Sequence, residues 1–133
     1  MYQIVKGWPS NAALDENVKA ATGQTIVEGQ VITKDSDGAA VVASLAAGDD
    51  KTAYFVIGKE TLTGTFTGLT GKFIAEVDAD HLAAAVSTYA IDELLTATTG
   101  KFAALTAGAP EQAIARVVGK DAVNGKLRVI WLG

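Results

Sequence analysis

The residues best equipped for chemistry gather at Asp78-Ala79-Asp80-His81, where two carboxylates accompany the chain's single histidine. Carboxylates and an imidazole at this spacing can ligate a metal, or pair a general base with an acid that orients it. Side chains this close in sequence seldom converge on one point, however, and the sequence has no cysteine or second histidine to complete a site. The plainer expectation is an exposed turn leaving a strand, with Asp80 capping a short helix. Asp35-Ser36-Asp37-Gly38 has the opening of a calcium loop, but the position that should carry a bidentate glutamate is Ala46. The acidic pairs Asp15-Glu16, Asp49-Asp50 and Asp92-Glu93 could serve acid–base hydrolysis only if both members of a pair faced one bond. Adjacent carboxylates on a strand or loop point apart. The glycine-rich run 64–72 looks like a phosphate loop until Lys72, which is followed by Phe73 where a serine or threonine is needed. No Gly-x-Ser-x-Gly elbow accompanies the four serines. The sequence therefore predicts no catalytic centre, no cofactor and no metal.

The elements that must position these residues read as strands. Residues 30–34 and 39–43 form a hairpin about the Asp35–Gly38 turn, where Asp and Ser bond locally and Gly38 supplies positive φ. A second hairpin closes the chain, pairing 113–119 with 126–132. There Leu127, Val129 and Trp131 share one face and Lys126 and Arg128 the other. Residues 52–58, 61–67 and 72–77 have the β-branched, aromatic or alternating content of strands. A shorter hairpin joins 94–97 to 102–105. Two short helices are also expected, one capped by Ser10 over 11–21 with Leu14 and Val18 four apart, the other over 81–86.

Composition narrows the class. At 133 residues with 49% hydrophobic content the chain can bury a core as one domain without a disulfide or metal, and it has no cysteine to make a staple. Its 24 alanines and 14 glycines suit a thin core crossed by frequent turns. Eleven basic against 15 acidic residues, net charge −4, argues against nucleic acid as a partner, since phosphate binding needs a positive surplus. No apolar run reaches the ~20 residues of a membrane helix. The first residues lack the uninterrupted apolar stretch of a signal peptide, which leads us to expect synthesis in a cytoplasm. The fold expected is mainly β, a compact β-barrel or β-sandwich with at most one or two short helices. Residues 1–22 are read as an extended N-terminal arm packed on a single domain of residues 23–133.

Several features together resemble a known class of protein. They are the arm with Trp8-Pro9, the run Gly23-Gln24-Thr25-Ile26-Val27-Glu28-Gly29-Gln30-Val31-Ile32, the turn and return Asp37-Gly38-Ala39-Ala40-Val41-Val42, and the closing hairpin through Gly125-Lys126-Leu127-Arg128-Val129-Ile130-Trp131-Leu132. This layout is similar to that of the small capsid decoration (cement, head-stabilising) proteins of tailed bacteriophages. The resemblance implies a non-enzymatic virion protein on the capsid exterior, a dimer or trimer that bridges neighbouring major capsid subunits. Aromatic anchors are favoured at interfaces, so Tyr2, Ile4, Trp8 and Pro9 are the candidate capsid or oligomer contacts, unless Trp8 folds back onto its own core. Competing expectations are a tail-tube or fibre component, a small ligand-binding β-barrel, an enzyme using Asp78, Asp80 and His81, and a cytoplasmic β-domain with a protein partner.

Overall fold

The computed structural model describes residues 2–7, 13–59 and 64–132. Among these residues, eleven strands form two antiparallel sheets. In chain order they are β1 (Tyr2–Gly7), β2 (Ala13–Val18), β3 (Val31–Lys34), β4 (Ala40–Val42), β5 (Tyr54–Lys59), β6 (Phe66–Thr70), β7 (Phe73–Val77), β8 (Leu94–Thr98), β9 (Lys101–Ala104), β10 (Ala115–Asp121) and β11 (Lys126–Trp131). The six-stranded sheet runs β1-β7-β11-β10-β8-β9 and the five-stranded sheet β2-β6-β5-β3-β4.

The hairpins follow from local chemistry. Between β3 and β4 the Asp35 carboxylate accepts from the Asp37 and Ala39 amides, both at 2.9 Å, and Gly38 takes φ +79°. Strands β10 and β11 pair from Ala115 opposite Trp131 to Asp121 opposite Lys126, with a bulge between Val117 and Gly119. The two-residue period buries Leu127, Val129 and Trp131 and leaves Arg128 outward.

The main core lies where the two sheets contribute to one cluster. Val31, Phe55 and Leu69 come from the five-stranded sheet, and Phe73, Val77, Leu95, Phe102, Val117, Leu127, Val129 and Trp131 from the six-stranded one. At its centre Phe55 meets three aromatics of the other sheet, Phe73 at 6.2 Å, Phe102 at 6.0 Å and Trp131 at 6.2 Å between ring centroids. Phe73 also stacks on Trp131 at 5.1 Å. A second cluster joins Val18, Ile32, Ala40, Val56 and Phe66 of the five-stranded sheet to Ile26 of the loop before β3, so that sheet is apolar on both faces.

Two sheet edges are closed by the chain's own backbone. Beside β4, the Ala40 amide donates to the Lys19 carbonyl at 2.7 Å, the Ala21 amide to the Ala40 carbonyl at 2.9 Å, and the Val42 amide to the Gln24 side chain at 2.9 Å. Beside β9, the Ala83 amide donates to the Phe102 carbonyl at 2.9 Å. The other two edges are β1 and β2, and among the described residues no further segment pairs with them.

Both expected helices are corrected. Residues 13–18 form β2, antiparallel to β6 with Ala13 opposite Thr70 and Val18 opposite Phe66. The Leu14–Val18 spacing is compatible with a helix, but sheet pairing overrides so weak a local preference in so short a segment. The 81–86 helix is replaced by two isolated 3₁₀ turns, Ala79–His81 and Val86–Thr88. Within the 1–22 segment, β1 and β2 are strands, one in each sheet.

Candidate functional site

The chemistry-bearing residues meet at one end of the molecule, where three segments from both sheets converge. From the six-stranded sheet, β7 ends in a turn whose cap is Asp78: its carboxylate accepts the Asp80 amide at 3.0 Å. The expectation that Asp80 is the cap is thus shifted by two residues. This turn delivers His81 half-buried against Gly29, which leads into β3 of the other sheet and whose amide donates to the Val56 carbonyl at 2.8 Å. A β-carbon on Gly29 would stand 2.2 Å from His81 Cε1, so the imidazole occupies the space that any other side chain would need.

Edge strand β1 supplies the third wall. The Tyr2 ring lies edge-on to His81 at 6.1 Å and to Phe55 at 5.2 Å, and its hydroxyl donates to the Ile57 carbonyl at 2.7 Å. Burial, reinforced by the negative charge of Glu28, pushes the Tyr2 phenol above its ordinary range. Tyr2, Glu28, Asp80 and His81 line an open groove of about 500 Å³. Within it His81 Nε2 is buried with no hydrogen-bond partner. Burial, then the positive charge of the α-amino group, holds the imidazole below its ordinary value against the opposing pull of Asp78, Asp80 and the Gly29 backbone.

Of the four candidate contact residues, Tyr2 and Ile4 pack against the main core, and Trp8 and Pro9 lie outside the described residues. Among the described residues no group of three or more His, Cys, Asp or Glu side chains is arranged to hold a metal. Several other acidic residues singled out above bond to turns. Asp49 accepts the Ala46 amide at 2.8 Å and lies 3.9 Å from Lys51, while Glu93 accepts the Ala90 amide at 2.9 Å. The glycine-rich run becomes β6 and its turn into β7 instead of a phosphate cradle. A second, charged groove of about 270 Å³ lies beside the β10–β11 hairpin. There Arg128 pairs with Glu76 at 2.9 Å, and Lys120 donates to the Tyr89 carbonyl at 2.8 Å.

The approach of His81 to Gly29 was not readable from sequence, because the two sit in turns attached to different sheets and no local pattern links them. Gly29 itself was the only signal, as one of the turn-forming glycines. Comparison with known protein families, with curated proteins and with solved structures finds no match for this chain.

Proposed function

We propose that the chain is a non-enzymatic virion structural protein that binds the exterior of an assembled phage capsid and braces it by bridging major capsid subunits, acting as a dimer or trimer. In this reading the two sheets are the layers of a β-sandwich sharing the aromatic core. The observation that carries the proposal is the disposition of the edges: other parts of the chain bond to β4 and, at Phe102, to β9, whereas among the described residues no further segment pairs with β1 or β2, both from the N-terminal segment. Open edges are where a β-protein adds a partner by main-chain pairing, and here they belong to the segment that carries Trp8 and Pro9.

A brace of this kind works by mass action, since a ligand that prefers the assembled lattice to free subunits stabilises the lattice. Each additional subunit touched raises the effective concentration for the next contact. Shape and rigidity are the requirements, and a core shared by both sheets suits them. The test is co-sedimentation of the purified chain with undecorated shells and, separately, with unassembled capsid subunits. Binding to shells alone, reduced in Trp8→Ala while its thermal transition is retained, supports the proposal; absence from the shell pellet refutes it. The same open edges also suit self-assembly, as in a tail tube or fibre. Rings or filaments of the purified chain in sedimentation velocity would favour that alternative.

A further inference from the structure

We propose that His81 is a proton-operated latch that fastens the turn after β7 to the turn before β3, and so ties the two sheets together at the end where β1 enters. The closed position is the one observed. The imidazole fills the space over Gly29, the Tyr2 ring stands nearly perpendicular to it at 6.1 Å between centroids, and Nε2 is buried without a partner. A neutral ring tolerates this, because it leaves only an uncharged acceptor unpaired, which costs far less than an unpaired charge. A protonated ring does not, since Nε2–H would be a charged donor buried with no acceptor. An alternative position lies alongside, in the open groove lined by Glu28 and Asp80, where an imidazolium would meet water and two carboxylates.

The charged groups around His81 are Asp78 and Asp80 on its own turn, Glu28 beside Gly29, the Tyr2 phenol on β1, and the α-amino group. An imidazole is the side chain whose ordinary titration falls between about pH 5 and 8, while the Asp78 carboxyl is held below and the Tyr2 phenol above its own ordinary range. His81 is therefore the group that changes charge between these limits. Its value in the closed state is held below that of an exposed imidazole. The closed state thus binds fewer protons than the open one. The latch is fully effective above about pH 6.5 and weakens as pH falls, until the pH drops below the closed-state value. Over that interval one proton is taken up per opening, so the open fraction rises about tenfold for each pH unit.

This inference is independent of the bracing role. Because the chain has one histidine, its imidazole resonances are unambiguous in an NMR titration. Amide hydrogen exchange, corrected for intrinsic rates, reports opening at Gly29, Leu82 and Ala83, whose N–H groups bond to Val56, Ala79 and Phe102. The expected result is an imidazole titrating below about 6.5 and, as pH falls from about 6.5 to the value it shows, about a tenfold loss of protection per pH unit at those three amides. Val117 and Leu132, whose N–H groups bond to Glu93 and Ile114 and which do not pair with the end of β7, should keep theirs. His81→Gln should abolish the pH slope, and Gly29→Ala, which evicts the ring, should leave the three amides unprotected at every pH. An imidazole titrating at or above the ordinary value, protection that does not vary with pH, or parallel loss at Val117 and Leu132 would each overturn the latch. Should His81→Gln fail to fold, the wild-type titration and slope decide alone.

Discussion

The glycines at positions 29 and 38 share a left-handed backbone, with φ of +85° and +79°, yet they stand in opposite surroundings. A β-carbon on Gly38 would meet nothing within 4 Å, whereas on Gly29 it would strike the His81 ring. Gly38→Ala should therefore cost about 1 kcal/mol, the backbone penalty alone. Gly29→Ala should cost about 3 kcal/mol, because the ring must also be displaced. Urea denaturation of the two variants measures the difference, and equal losses would mean that His81 does not pack on Gly29. Tyr2→Phe removes one hydroxyl that donates to Ile57 while leaving the ring on Phe55, and should cost about 1 kcal/mol in the same assay. The exposed Arg128–Glu76 pair, with the arginine side chain 52% accessible, should matter little. Arg128→Ala is expected to change stability by less than about 1 kcal/mol.

The strands were legible where alternation and turn chemistry coincide. The Asp35–Gly38 turn and the inward set Leu127, Val129 and Trp131 could be read directly, because both depend on residues adjacent in the chain. The N-terminal segment could not. Whether 13–18 coils or extends depends on β6, a strand some fifty residues later whose edge it covers. For the same reason the approach of His81 to Gly29, and of Tyr2 to Ile57, left no local trace. Pairing of β1 with β7 also changes what truncation should do. Deleting residues 1–10 removes Tyr2 and Ile4 from the core margin and uncovers the edge of β7, so stability should fall by about 3 kcal/mol. The deletion is expected to aggregate through the uncovered strand. Thermal denaturation and light scattering measure both effects. Trp8→Ala is the cleaner probe of partner binding, as it leaves the β1 ladder residues in place.

Because a single aromatic cluster joins both sheets, the molecule should unfold as one unit. Far-UV circular dichroism and tryptophan fluorescence should give coincident transitions, and Trp131→Ala should lower stability by about 4 kcal/mol by emptying the space between Phe73 and Phe102. A body of this kind, in which no described segment pairs with the outer edges of β1 and β2, suits the proposed structural brace, whose usefulness would come from where it attaches. Quantifying the chain in purified mature virions tests that assignment. The expected result is a near-stoichiometric ratio to the major capsid protein, with release that leaves the shells weaker to heat. Virions that lack the chain while infected cells contain it would contradict the assignment.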